Sequence, residues 1–233
     1  PYIPGVPPPP SSGLAVCTSV AHFLWGNSMS LFIAFEGPDG VGKSTQVAAL
    51  SENLKMRGYS PVTVSDPGTT DLGSELRRLL LDKQDIRIDP EAQALLFLAA
   101  KAQLWAEIIE PALEADQIVI TDRWHLSTMV YQGMLQGDTS VDKLLTRVLG
   151  NRRPDLNIVL IGEESKLKEN VDGVDRFESS LEVGYMNYCY NCVEGLEGDL
   201  IYRYDTSIKS VETTSEEVLG RVLNIVERNR RAI

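Results

Sequence analysis

Short apolar runs alternate along the chain with longer stretches whose apolar residues recur at helical spacing. Five runs read as strands: Leu31 to Phe35, Pro61 to Ser65, Gln117 to Asp122, Leu156 to Ile161, and LIYRYD from Leu200. The central ones are almost wholly apolar, the mark of strands buried on both faces of a parallel sheet. Between them the period lengthens. A first helix is predicted from about Lys43 to Arg57, with Val47, Leu50 and Leu54 on one face and a stop at Gly58. A short one follows from Ser74 to Leu81, and its Arg77 and Arg78 read as a solvated face. A long helix opens at Asp89 with Pro90 in its first turn and runs apolar almost all round to Ile109. Others begin near His125, cover 138 to 149, and run from about Arg176 to Val193. The last starts with a capping box, Thr214 to Glu217, and carries Val218, Val222 and Val226 on one face. This alternation predicts an α/β domain with a five-stranded parallel sheet flanked by helices.

Residues 1 to 28 break the pattern. PYIPGVPPPPSSG holds six of the chain's twelve prolines, a composition that favours extended backbone over a packed core. This stretch reads as a disordered N-terminal extension, with Met29 as the functional start of a domain covering 29 to 233. At 233 residues the chain accommodates one such domain.

Charge narrows the function classes. With 22 basic and 33 acidic residues the net charge is −11, which argues against a nucleic-acid-binding surface and requires a local positive cluster for any anionic ligand. Three cysteines make no disulfide framework, so a reducing, cytoplasmic setting is expected. No apolar run is expected to span a bilayer. Cys189 and Cys192 form a lone CxxC pair, a weak signal for zinc or thiol chemistry.

The candidate chemistry centres on LFIAFEGPDGVGKSTQ, where the first strand breaks into glycines and enters a helix. Gly37, Gly42, Lys43 and Ser44 complete the GxxxxGKS pattern of a phosphate-binding loop. Glycines at 37, 40 and 42 allow positive φ and leave backbone amides open to phosphate oxygens. Val41 and Thr45 complete the expected ATP-binding set with Gly37, Gly40, Gly42, Lys43 and Ser44. Lys43 supplies a mobile charge for the β and γ phosphates, and the Ser44 hydroxyl is a hard ligand for magnesium. Asp122, closing the third strand, suits indirect support of that ion, and Arg123 beside it can clamp a second phosphate. Phe97 and Lys101, four apart, share a helix face. His125 carries no expected role, because a helix amino terminus disfavours an imidazolium. The polar stretch from Gly162 to about Asp175 has the composition of a mobile lid.

From Met29 to about Glu227 the chain resembles thymidylate kinases. EGPDGVGKSTQ is similar to that family's phosphate loop, DPGTTDLG to its substrate loop, LLFLAAKAQ to its base-stacking helix, and DRWHLSTMVYQG to its DR signature. RRPDLNIVL and DRFE match its fourth strand and post-lid motif. The resemblance implies the three-layer P-loop fold, a homodimer through the long apolar helix, and transfer of the ATP γ phosphate to dTMP with Mg2+. Carried over, Phe97 stacks on thymine, Arg123 binds the acceptor phosphate, and Asp39 contacts the deoxyribose 3′ hydroxyl. Ser127, Thr128 and Tyr131 read the base edge, and Asp66, Lys101 and Gln132 complete the substrate set. The implied catalytic set is Lys43, Arg123, Arg176 and Asp39. Ser65 and Lys101 stand where the family usually has arginine, and the lid segment before Val174 has only Lys166 and Lys168. These departures keep two other readings open: a kinase for another deoxynucleoside monophosphate or a nucleoside, and a weakly active nucleotide-binding protein.

Overall fold

The computed structural model describes residues 29–82, 85–137, 140–169 and 183–231. Five parallel strands, β1 (Leu31–Glu36), β2 (Val62–Ser65), β3 (Ile118–Asp122), β4 (Leu156–Ile161) and β5 (Ile201–Asp205), form one sheet in the order β2-β3-β1-β4-β5. Register follows from the pairs Ile33 with Ile120 and Phe35 with Ile158. Every residue of β1 is buried, which is why its sequence lacks the alternation of a half-exposed strand.

Alternate residues of β1 serve opposite layers. Leu31, Ile33 and Phe35 pack with Leu50 and Leu54 of α1 (Lys43–Lys55) and with Val218, Val222 and Val226 of α9 (Val211–Arg231). Phe32 and Ala34 face the other way, toward Leu98 and Leu104 of α3 (Pro90–Leu104), Trp105 and Trp124. The two-residue period of a strand thus builds both cores from one segment. Phe32 meets Trp124 edge-on at 5.3 Å between centroids.

The long apolar helix continues past Leu104 through a π-helical stretch, Trp105–Ile109, into α4 (Glu110–Glu114). Contrary to the expectation that no run is long and apolar enough to span a membrane, the stretch Pro90–Glu114 meets that requirement by length and composition. Leu98, Leu104, Trp105 and Ile109 place it in the core beside β1, which accounts for its apolar character.

Two helix starts differ from the sequence reading. Helix α2 (Asp71–Arg77) opens three residues early because the Thr70 hydroxyl caps it, accepting from Gly73 N at 2.9 Å, and it runs on as a π-helical stretch, Arg78–Asp82. Helix α9 opens at Val211, where Ser210 Oγ lies 3.2 Å from Thr213 N. The expected capping residue Thr214 is therefore inside the helix and buried. Helix α5 (His125–Thr128) leads into another π-helical stretch, Met129–Leu135, and α6 covers Val141–Leu149. The expected lid begins with a short helix, α7 (Glu164–Glu169), and α8 is described over Val183–Cys192. Arg176, residues 1 to 28 and the rest of the expected lid lie outside the described residues.

Candidate active site

The carboxyl ends of β1 and β3 adjoin, and the site grows from there. After β1, Gly37, Gly40 and Gly42 take φ values of 143°, 75° and 95°, so the chain turns back on itself before α1. Gly37 has a second reason to lack a side chain: a Cβ there would collide with the Leu160 carbonyl oxygen of β4. At the start of α1, Lys43 Nζ donates to Pro38 O at 2.8 Å and to Asp39 Oδ1 at 3.1 Å. Burial first, then the charge of Arg123, pulls the Lys43 ammonium below the usual lysine range, while Asp39 and Asp122 oppose the shift. A bound polyphosphate would add negative charge where this lysine is undercompensated.

Arg123 follows β3 with φ of 72°, a left-handed conformation that a non-glycine residue seldom adopts. Its backbone N–H donates to Phe35 O at 2.8 Å, tying the turn to β1. Nη1 donates to Gly37 O at 2.9 Å, Ser127 Oγ at 3.1 Å and Tyr190 Oη at 2.7 Å, and Nη2 bonds Asp39 Oδ1. Burial opposes the guanidinium charge, but Asp39 and the other surrounding groups outweigh it and hold Arg123 well above the usual arginine value.

Two cavities meet here. The larger, about 780 Å3, is lined by Gly40, Val41, Gly42, Lys43, Ser44 and Thr45, and on its far side by Gly162, Thr206, Ser207 and Val211. The smaller, about 90 Å3, is lined by Phe97, Lys101, Ser127, Thr128, Tyr131 and Gln132. Asp39, Asp66, Arg77 and Arg123 line both. The arrangement can hold a polyphosphate against the loop and a planar ring against Phe97, with cations at the junction.

Of the residues singled out from sequence, Gly37 lies beneath the loop and lines neither cavity, though its carbonyl accepts from Arg123. Lys101 borders the smaller cavity, yet its ammonium is bonded to Asp66 and lies 5.7 Å from the Phe97 ring centroid. His125, expected to carry no role, is fully buried, with Nε2 2.6 Å from Asp199 Oδ2. Burial pushes the Asp199 carboxyl up, but His125, the Leu196 amide and Arg153 outweigh it and hold it below the usual range. Cys189 is buried and Cys192 exposed, and the described residues contain no group of three or more His, Cys, Asp or Glu able to hold a metal.

Magnesium suits the donors that are present. Ser44 Oγ donates to Asp122 Oδ2 at 2.8 Å, placing a hydroxyl and a carboxylate, both hard oxygens, at the mouth of the larger cavity. That set matches an ion that keeps water and phosphate as most of its ligands.

Three contributors escaped the sequence reading. Arg77 is exposed, as read there, but it also lines both cavities and donates to Pro67 O at 3.2 Å. Glu36 is fully buried and accepts from Trp124 N at 2.9 Å, Leu126 N at 3.1 Å and Ser127 Oγ at 2.5 Å. A charged residue closing an apolar strand was the available signal, the same one that marks Asp122. Tyr190, from α8, joins Arg123 and Ser127.

Comparison with known proteins agrees with this geometry. The thymidylate kinase family model matches residues 35–182, more than half of the chain. The thymidylate kinase of Roseiflexus sp. (strain RS-1) is 44% identical over 134 residues, covering 57% of this chain and 59% of its own. That of Desulfovibrio desulfuricans is 45% identical over 132 residues, covering 56% of this chain and 61% of its own. That of Dinoroseobacter shibae is 41% identical over 152 residues, covering 63% and 73%. The match to the first two thus spans about three fifths of their length. With the phosphate loop, the Asp122–Arg123 turn and the Phe97 cavity all inside the matched region, the chain belongs to the thymidylate kinase family.

Proposed function

We propose that the protein transfers the γ phosphate of ATP to dTMP, giving dTDP and ADP. The observation that carries this reading is the junction of the two cavities at Arg123 and Asp39, one side built for a polyphosphate and the other for an aromatic ring. In it, the loop amides and Lys43 bind the β and γ phosphates and orient the latter toward the smaller cavity. Arg123 and Arg77 bind the acceptor phosphate and neutralise charge where the two phosphates approach. Phe97 stacks on the thymine, Thr128 and Gln132 address its polar edge, and Tyr131 occupies the space a ribose 2′ hydroxyl needs. Phosphoryl transfer asks of a protein chiefly this positioning and charge neutralisation. Ser44, with support from Asp122, would hold magnesium, which neutralises and orients the donor phosphates when bound.

Lys101 is committed to Asp66, so the acceptor phosphate relies on Arg77 and Arg123 among the described residues. Arg176 belongs to the same proposal as a cation approaching from the lid. So do a cytoplasmic location and a homodimer formed through α3, where Leu95 remains 48% exposed.

The test is ADP release with ATP and magnesium against dTMP, dUMP, dGMP, dCMP, dAMP, UMP and thymidine. Strong preference for dTMP is expected. Preference for another acceptor would recast Ser65 and Lys101 as specificity changes. ATP binding without turnover on any acceptor would sink the kinase assignment.

A further inference from the structure

Arg123 is gripped from a direction that neither cavity reveals. Tyr190 on α8 is fully buried, borders neither cavity, and places its Oη 2.7 Å from Arg123 Nη1 and 2.9 Å from Ser127 Oγ. Ser127 in turn donates to Glu36 Oε2 at 2.5 Å. These contacts have only one consistent direction. A serine hydroxyl has a single proton, and Ser127 gives it to Glu36. Ser127 can then only accept from Tyr190, so the phenol proton points to Ser127 and the phenol oxygen accepts from the guanidinium. The chain runs from Arg123 through Tyr190 and Ser127 to Glu36, each bond polarising the next. Burial pushes the Tyr190 phenol above the ordinary tyrosine range against the pull of Arg123, so the proton this order needs is retained.

Such a grip matters because the backbone at Arg123 is in the left-handed region, where local preference does not aim the side chain. Asp39 holds Nη2, and Nη1 is shared among Gly37 O, Ser127 Oγ and Tyr190 Oη, of which Tyr190 is the shortest contact. Glu36 also holds the amides of Trp124 and Leu126, so one carboxylate anchors both the turn and the end of the relay.

We propose that Tyr190 is a positioning residue for the acceptor phosphate, reaching from α8 to set the Arg123 guanidinium and coupling the packing of α8 to that end of the site. This inference rests on the dTMP reading above. A merely space-filling tyrosine, packed with Leu126, Val130 and Met186, would lose nothing of consequence with its hydroxyl.

The experiment is equilibrium binding of dTMP and of thymidine to the full chain and to Tyr190→Phe, which keeps the ring. Loss of one hydrogen bond to a charged group should weaken dTMP binding by about tenfold or more. Thymidine, lacking the phosphate that Arg123 binds, should keep its affinity. In an Arg123→Lys background, Tyr190→Phe should add little, because the two residues act as one unit. Unchanged dTMP binding, or equal losses for dTMP and thymidine, would overturn the inference. Binding of dTMP to the unaltered chain, measured first, separates the two claims: its absence overturns the acceptor assignment and this inference with it, whereas its presence beside an unaffected Tyr190→Phe overturns the inference alone.

Discussion

Lys101 and Asp66 form an ion pair inside the protein, with the lysine side chain 2% and the aspartate 1% exposed. Burial raises the Asp66 carboxyl above its usual value, and Lys101 opposes that shift. The pair joins the turn after β2 to the last turn of α3 and forms one wall of the smaller cavity. Lys101→Met, which leaves the carboxyl buried and unpaired, should cost about 3–5 kcal/mol of stability. Adding Asp66→Asn should recover much of that. Urea denaturation of the single and double variants checks both; a single variant as stable as the parent would mean the pair is not desolvated.

Lys43 is the second target. Lys43→Met keeps most of the side-chain volume and removes a charge at the centre of the larger cavity. Turnover should fall by about a hundredfold to a thousandfold, the usual cost of removing one charge-stabilising donor. Circular dichroism and the thermal midpoint should change little, since among the described residues the Lys43 ammonium bonds only Pro38 O and Asp39 of its own loop. Full activity would remove the phosphate-loop argument.

Ser44 and Asp122 touch at 2.8 Å and should act together on the metal. Asp122→Asn should raise the magnesium needed for half-maximal rate about 10- to 100-fold, the typical effect of losing an outer ligand-orienting group. Magnesium titration of the rate at saturating ATP is the measurement. An unchanged requirement would place the ion elsewhere.

The buried contact between His125 and Asp199 yields a pH prediction. Because the folded protein depresses the Asp199 carboxyl, its contribution is fully present above the unfolded value of about 3.9 and is lost as pH falls through the folded value. Asp199→Asn should therefore cost about 1–3 kcal/mol at pH 7. The gap between variant and parent should narrow steadily as denaturation is repeated toward pH 3. A gap independent of pH would show that the carboxylate charge is not what stabilises the contact.

Gly37→Ala tests the floor of the loop. An added methyl meets the Leu160 carbonyl, a backbone group of the neighbouring strand that cannot swing aside, and the φ of 143° is itself costly for alanine. Loss of soluble, cooperatively unfolding protein is expected. At Gly42 a methyl would point into open space, so Gly42→Ala should strain the turn and yet fold.

How much of this was legible beforehand differs by kind of residue. The central strands were readable because burial on both faces makes them continuous apolar runs, as in Leu31–Phe35, whereas the edge strands β2 and β5 are only partly buried. Helix starts were less so: Thr70 and Ser210 cap earlier than Ser74 and Thr214, and several hydroxyls in a row give the sequence no way to rank them. Within the site, Lys43, Ser44 and the Asp122–Arg123 pair sit in contiguous motifs and could be found by spacing. Arg77 could not be told from Arg78, because one helical step separates a residue lining both cavities from one paired with Glu75 at the surface. Tyr190 lies 67 positions from Arg123, and only the fold brings them together.

The bond from Arg123 N to Phe35 O joins the ends of two neighbouring strands, so the glycine loop after β1 and the Arg123 turn after β3 hang from one point at the middle of the sheet. Phe97, one wall of the smaller cavity, arrives on α3 from a separate layer, whereas Ser127, Thr128, Tyr131 and Gln132 follow the Arg123 turn directly. Under the proposed function, a substitution at Phe97 should change the preferred base more than it changes the phosphate loop or the Arg123 turn, neither of which Phe97 belongs to. The turn at Arg123 is, on that same reading, the fixed part of the site and the Phe97 wall the exchangeable one.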